Sequence, residues 1–472
     1  MIRKNKFQVT PVIGLQWGDE GKGKGVARIA NILNKNDLIV RFQGGNNAGH
    51  TIWHKGKCFV FHLIPSGVFG KAKIHLGAGM VINPGALAKE AKEIPKNISF
   101  LNRMSVSPHA VLTIPTHLIL DSVSEKTKGK KKIGSTGKGI SPSYTDLTLR
   151  RALRVGDIFY SDFRKKYEML RDEHKKTLHQ NFNYDVSIKE LKEAEQNFWL
   201  GIKFLRSLQI IESAEIVTKT LSKKHKVIAE GAQGSLLDVR FGHYPFVTSS
   251  HTISGGVATG LGIPPSYIGG AIGILKAYVT KVGEGPFPTE LGGKESSVWC
   301  RDKKVNDEKI RFPEPNPESK SEFEQGVALR KFGHEIGATT GRLRRTGWID
   351  IPLLKYAIKI NGVEELVLTK LDVLSGFKKI KVCTQYIIDG KKTSKIPFDL
   401  ARVNVKAIYK SFPIWKGKLS DYDKKPARLN SRSGGLPKEA LTYVQFLEKI
   451  LNTKIIYVGT GPEDHHVVER YW

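Results

Sequence analysis

The sequence predicts an α/β protein built on one large, mainly parallel β-sheet with flanking helices. Three observations carry that expectation. Short β-branched runs alternate with helical stretches, and several of the runs end in glycine-rich or polar turns. The first of those turns, 14–24, stands between an apolar run and a helix, which is how a phosphate-binding cradle is built. In chain order the expected strands are 9–13, 38–42, 58–63, 73–76, 227–229, 272–277, 365–368 and 455–458. A first helix is expected over 25–33. Residues 160–225 read as charged amphipathic helices at 163–179 and 188–208, a helical subregion on the flank of the sheet. Residues 291–333 hold Gly292-Gly293, Pro313, Pro315 and Pro317 among many charges, and read as an irregular surface insertion. No internal repeat stands out. A length of 472 residues allows about three domains, but the order of elements favours one large domain over 1–472.

Composition narrows the function classes. A hydrophobic fraction of 40% supplies a large core. The net charge of +31 raises the possibility of a nucleic-acid binder. The lysines are scattered, however, and the densest cluster, 126–132, has no interleaved aromatic residue. No zinc-finger, RNA-recognition or basic-zipper pattern is present, so no specific nucleic-acid partner is expected. Part of the positive charge suits anionic small substrates. Cys58, Cys300 and Cys383 are far apart and odd in number, which gives neither a disulfide framework nor a metal pair and points to a reducing cytoplasm. The basic stretch 1–6 lacks the apolar region of a signal peptide, and no run of about 18 apolar residues predicts a membrane span.

Two segments carry the chemistry. In the first, Gln16-Trp17-Gly18-Asp19-Glu20-Gly21-Lys22-Gly23-Lys24, backbone N–H groups and a helix N-terminus face an anion, yet Asp19 stands beside Lys22 and Lys24. A carboxylate in a phosphate cradle suggests a bound metal or a proton to be moved. The loop departs from the standard P-loop, because Gly23 follows Lys22 where Ser or Thr belongs. The second segment, Gln43-Gly44-Gly45-Asn46-Asn47-Ala48-Gly49-His50-Thr51, also follows a strand and should lie at the same sheet edge. His50 in such a turn suits proton traffic.

Both segments resemble signatures of the adenylosuccinate synthetase family. The resemblance continues through Ile133–Ile140, Arg150–Asp157, Glu230–Gly234, Tyr244–Ser250, Gly283–Glu290, Gly337–Arg342, Thr369–Asp372 and Gly459–Pro462, in family order across residues 12–462. It implies a P-loop-like GTP-binding architecture and GTP-dependent ligation of IMP to L-aspartate through a 6-phosphoryl-IMP intermediate, with one Mg²⁺ per subunit. Asp19 matches the family's base, His50 the residue that stabilises the transferring phosphoryl oxygens, and Lys22 a fixed positive charge; Gln233 joins them as a fourth catalytic position. The carboxylate of Asp19 and the carbonyl of Gly49 match the Mg²⁺ ligands.

The GTP set implied by the family is Gly18, Asp19, Glu20, Gly21, Lys22, Gly23, Lys24, Gly49, His50, Thr51, Arg344, Lys370, Leu371, Asp372, Gly459, Thr460 and Gly461. In Thr369-Lys370-Leu371-Asp372 a carboxylate can accept both guanine N–H groups, and a lysine stem can cover the base. The IMP set is Asp19, Lys22, Asn47, Ala48, Gly49, His50, Thr136, Arg150, Gln233, Thr248 and Arg342. The aspartate set is Ala338, Thr339, Thr340, Gly341, Arg342, Leu343 and Arg344. Arg150 is the position that reaches the neighbouring subunit's site, which implies a homodimer. Four departures stand out: Ser135 replaces Thr, Lys138 replaces Arg, Leu343 replaces a common Arg with little effect expected, and the 291–333 segment is longer than in typical bacterial members. Two other readings are a phage-type ligase acting on a guanine deoxynucleotide, and a basic nucleic-acid-binding protein on an inactive enzyme fold. The phage branch replaces the catalytic aspartate, so Asp19 argues against the first. Intact Asp19, Lys22, His50, Arg342 and Asp372 argue against the second.

Overall fold

Continuous apolar runs such as Leu38-Ile39-Val40 belong to strands covered on both faces, and that is where the chain puts them. A computed structural model describes residues 8–129, 134–337, 341–421, 435–463 and 465–470. Ten strands form the central sheet, in the spatial order Val467–Glu469, Lys454–Gly459, Val363–Thr369, Ala271–Lys276, Val9–Gly14, Val227–Glu230, Leu38–Arg41, Lys73–Leu76, Met104–Val106 and Gln209–Ile210. All neighbours are parallel except the antiparallel edge pair formed by Lys454–Gly459 and Val467–Glu469. Side chains alternate between two cores: Leu38 and Val40 enter one, Ile39 the other. Helices Ser213–Ser222, Ile351–Asn361 and Lys438–Leu451 cover the first face; Lys22–Ala30 and Pro84–Glu93 cover the second. Each fully buried Val, Leu or Ile contributes about 1.5–3 kcal/mol relative to an exposed one, so the two cores hold the sheet edges in fixed register.

The helical subregion forms as expected, with helices Phe163–Phe182 and Ile188–Leu205. Ser187 caps the second through the N–H of Glu190. Tyr167 stacks on Phe198 at 5.1 Å, and Trp199 meets both edge-on.

Three expectations need correction. The first helix begins at Lys22, three residues early, because Gly21 takes a left-handed φ of 83° and turns the chain directly into it. The run 58–63 does not enter the central sheet. Its strand, Lys57–Phe61, folds back antiparallel on His50–His54 around Lys55-Gly56, both at positive φ as a two-residue hairpin turn requires. Residues 291–333 are not irregular: they form helices Gly293–Asp302, Val305–Arg311 and Glu322–Phe332. The three prolines fall in the connection between the last two helices. Trp299, Phe323 and Val327 are buried, so the segment has a small core of its own.

A second, five-stranded sheet carries Tyr278–Lys281, Arg345–Asp350, Lys379–Ile388, Lys391–Thr393 and Val405–Pro413. Among the described residues no helix is long and apolar enough to cross a membrane.

Candidate functional site

Parallel strands end together, so the turns after Gly14, Arg41, Glu230, Thr369 and Gly459 meet at one edge of the central sheet. The first loop is wound by Gly18, Asp19 and Gly21, all at positive φ. Its organiser is Glu20. That carboxylate is fully buried, accepts the N–H of Gln16 at 3.0 Å and of Gly18 at 2.8 Å, and pairs with Lys22 Nζ at 2.5 Å. A Cβ on Gly14 would lie 2.3 Å from Glu20 Oε2, and one on Gly234 2.4 Å from Oε1, so only glycine fits at either position. The Glu20 side chain, expected to meet the nucleotide, is thus committed to the loop. Gly23 brings the helix against the second loop: a Cβ there would stand 3.1 Å from His50 Cβ.

Asp19 faces outward. Its Oδ2 accepts a hydrogen bond from Arg344 Nε at 2.7 Å, and 39% of its side-chain surface stays open. Enclosure of the recess raises its carboxyl, but Arg344, then Lys276 and Lys22, outweigh that and hold it down to about 2.

His50 is buried at the start of the hairpin. Its Nδ1 lies 2.5 Å from Glu230 Oε1 and 3.2 Å from Ser66 Oγ, and Glu230 also accepts the Ser66 N–H at 2.8 Å. Nε2 is buried without a partner among the described residues. Burial drives the imidazole below its ordinary range, against the opposing pull of Glu230. Burial would raise the Glu230 carboxyl, but His50 and Arg41 keep it low. Beside His50, Ala48 is buried and its carbonyl accepts from His62 Nδ1, whereas Gly49 and Thr51 are exposed.

A polar set surrounds this pair. Asn47 Nδ2 donates to Thr248 Oγ1 at 3.4 Å. Gln233, at a φ of 57°, has both amide atoms buried and without a partner among the described residues. Gly44 leaves the space between them: a Cβ there would lie 3.2 Å from Gln233 Oε1 and 3.8 Å from Asn47 Oδ1. The stretch containing Thr136 is tied in at both ends, because Arg342 Nη1 donates to the Gly134 carbonyl at 3.1 Å and Ser141 Oγ lies 2.5 Å from Ser249 Oγ. Arg150 is not drawn in. It projects from the surface at a φ of 62°, while Arg151 pairs with Asp146 behind it.

On the other side of the first loop a cavity of about 220 Å³ is lined by Asp372, Ser375, Lys418, Leu419, Thr460, Gly461 and His466, among others. Asp372 Oδ1 is buried without a partner among the described residues, and burial raises its carboxyl. Lys24 Nζ closes the rim by donating to the carbonyls of Gly461 at 2.7 Å and His466 at 3.0 Å. Thr460 donates its N–H to the His466 carbonyl at 3.0 Å, and Leu371 donates to Gly459 at 3.2 Å with its side chain in the core. Lys370, at a φ of 56°, pairs with Glu335 at 2.7 Å. Glu335 also pairs with buried Lys276 at 3.2 Å.

Gly341, Arg342, Leu343 and Arg344 are described; Ala338, Thr339 and Thr340 lie outside the described residues. The sequence assigns no role to Ser66, Lys276, Glu335, Ser375, Leu419 or His466, and none to Glu230 beyond its place in the motif Glu230–Gly234. Only Glu230 left a signal, a carboxylate closing a buried strand just before a glycine-rich turn.

Comparison with known proteins agrees with this geometry. The family model for adenylosuccinate synthetase matches residues 11–468. The adenylosuccinate synthetase of Christiangramia forsetii is 43% identical over 463 residues, covering 97% of this chain and 99% of that protein. That of Phocaeicola vulgatus is 40% identical over 469 residues, covering 98% and 99%. The solved structure of fully ligated adenylosuccinate synthetase from Plasmodium falciparum superposes with a TM-score of 0.82 at 34% identity, over 98% of this chain and all of that one. A cyanophage S-2L succinoaminodeoxyadenylate synthetase bound to dGMP and dATP shares the fold at a TM-score of 0.56, with 17% identity over 99% and 96% of the two chains. Neither the phage-type nor the nucleic-acid-binding reading gains from these likenesses. The chain belongs to the adenylosuccinate synthetase family, the enzymes that ligate IMP to L-aspartate at the expense of GTP.

Proposed function

We propose that the ligation runs at this sheet edge, with Asp19 and His50 as its acid–base and phosphoryl-stabilising groups. The observation that supports the reading best is that the loop carrying Asp19 packs against both His50 and Gln233, whose Nε2 and amide are buried without a partner among the described residues. The hypoxanthine oxygen is a poor leaving group and must first be phosphorylated. Asp19 accepts the N1 proton, O6 bonds to the γ-phosphorus of GTP, and the bond from that phosphorus to the GDP oxygen breaks. Lys22 and the N–H groups of the first loop balance the charge passing to GDP. His50 offers Nε2 to the transferring oxygens while Glu230 fixes its other nitrogen. The aspartate amine then bonds to C6, phosphate leaves, and the amine gives up a proton.

Gln233, Asn47 and Thr248 hold IMP, with Thr136 at its phosphate. Asp372 reads guanine and Lys370 covers it, at the cavity that Thr460 and Gly461 help to line and beside which Gly459 ends its strand. Arg342 and Arg344 meet the carboxylates of aspartate, and Arg344 lies near enough to the first loop to serve the GTP ribose as well. Asp19 and the Gly49 carbonyl are hard oxygen donors and would hold Mg²⁺, which when bound supplies positive charge to the GTP phosphates. The surface placement of Arg150 suits a residue that serves a partner's site, so the working unit is a homodimer. Three free cysteines fit a reducing cytoplasm.

The test is spectrophotometric turnover with IMP, GTP, aspartate and Mg²⁺, each omitted in turn. Turnover without GTP, or without aspartate, would remove the reading.

A further inference from the structure

Leu343 stands between the two arginines assigned to the aspartate substrate, and its side chain goes the opposite way. Arg342 reaches the Gly134 carbonyl and Arg344 reaches Asp19, both toward the site. Leu343 is 3% exposed and packs among Trp299, Phe323 and Val327, the core of segment 291–333. This alternation is that of an extended chain, and it is anchored: Leu343 bridges Ile336, Arg344 N–H donates to the Glu335 carbonyl at 3.0 Å, and Gly337 N–H donates to the Arg342 carbonyl at 2.9 Å.

A second tie joins the same two pieces. Arg330 is 1% exposed, and its Nη1 donates to the Arg344 carbonyl at 2.7 Å. Its remaining nitrogens are held by Glu308, at 2.9 Å to Nε and 2.6 Å to Nη2, and Glu308 accepts the Trp299 indole N–H at 3.0 Å. The guanidinium is therefore fixed from inside segment 291–333 before it meets the arginine strand. In such an extended strand a slip of one residue would send Leu343 into the site and both arginines into an apolar cluster.

We propose that segment 291–333 is a brace that sets the register and aim of Arg342 and Arg344, acting through the Leu343 seat and the Arg330 tie. Leu343 and Arg330 are positioning residues, and an arginine at 343 would have no apolar seat. The proposal rests on the reading that Arg342 and Arg344 receive aspartate.

Three full-length variants test it: Leu343→Ala, the volume-conserving Leu343→Met, and Trp299→Phe, which loosens the seat from the far side and removes the indole hydrogen bond to Glu308. For each, KM is measured separately for aspartate, IMP and GTP, with the melting temperature alongside. Displacing groups that orient a substrate costs rate and affinity steeply, so Leu343→Ala should raise the KM for aspartate about 10-fold or more. The KM values for IMP and GTP should stay within about 2-fold, Leu343→Met should restore the parent value, and Trp299→Phe should show a smaller rise confined to aspartate. Unchanged aspartate KM in Leu343→Ala and Trp299→Phe would overturn the brace, as would equal shifts for all three substrates. Should Leu343→Ala fail to fold, Trp299→Phe decides by the same criterion. If the parent protein turns over without aspartate, the site reading fails instead, and the two failures are distinct.

Discussion

Arg344 Nε lies 2.7 Å from Asp19 Oδ2, so the proposed base rests in an ion pair with an arginine proposed to bind substrate. With its carboxyl held down to about 2, Asp19 is ionised but a weak proton acceptor. On the proposed reading Arg344 turns to a substrate carboxylate or ribose as the site fills, and the Asp19 carboxylate would then regain basicity. Replacing Arg344 by Met should therefore raise the Asp19 carboxyl toward its ordinary range, read from the ¹³C shift of that carboxyl during a pH titration. A titration indistinguishable from the parent's would show that Arg344 does not control it.

His50 and Glu230 give a second expectation. Burial keeps the His50 imidazole low in the free protein, so it is neutral near pH 7. A phosphoryl group at Nε2 raises it, so the bound form takes up a proton that the free form lacks. Affinity for GTP should then strengthen as pH falls and lose that gain as pH rises through the bound-state value. Calorimetry in buffers of different ionisation enthalpy should show proton uptake on binding. Glu230→Gln should abolish most of that uptake and lower turnover about 10²-fold, the scale of an impaired acid–base group. Uptake equal to the parent's in that variant contradicts the pairing.

Guanine selection is the role proposed for Asp372, whose Oδ1 is buried without a partner among the described residues. Asp372→Asn exchanges an acceptor for a donor opposite C2 of the base. It should lower kcat/KM for GTP by about 10²-fold or more, because buried polar groups are left unpaired, and improve the relative use of xanthosine triphosphate. Full preference for GTP in this variant would remove the assignment.

Lys281 makes a prediction about stability. Its Nζ is buried without a partner among the described residues, over the rings of Trp17 at 5.2 Å and Phe246 at 5.9 Å. Burial first, then Arg345, lowers its ammonium from 10.5 to about 7. Between those two values the unfolded chain binds a proton that the folded chain does not, so stability rises with pH across that window. Lys281→Met should flatten the dependence of the melting temperature on pH between about 7 and 10. The same slope in parent and variant would contradict the burial of a neutral amine.

Much of this site was legible in the sequence, for a physical reason. Its parts are turns after parallel strands, and such turns advertise themselves: Gly18, Gly21 and Gly44 take positive φ, and Gly14, Gly23 and Gly234 make room for Glu20 and His50. Asp19 and His50 stand out inside those turns because charged and titratable groups are unusual there. What stayed hidden depends on side chains that meet only after folding. Glu335 joins Lys370 to Lys276, and its neighbours in sequence give no hint of that role. The helices of 291–333 were obscured by three prolines that fall in a single connection. Leu343, whose replacement of a common arginine predicts little effect, is buried in that segment's core, which local chemistry does not reveal.

The central claim is that Asp19 moves the proton that makes IMP reactive. The most direct test is the steady-state turnover of Asp19→Asn with saturating IMP, GTP, aspartate and Mg²⁺, with GTP affinity measured in parallel. The account predicts a fall in kcat of about 10³-fold, within the usual range for a lost acid–base group, while the variant stays folded and still binds GTP. A turnover within about 10-fold of the parent's would contradict it.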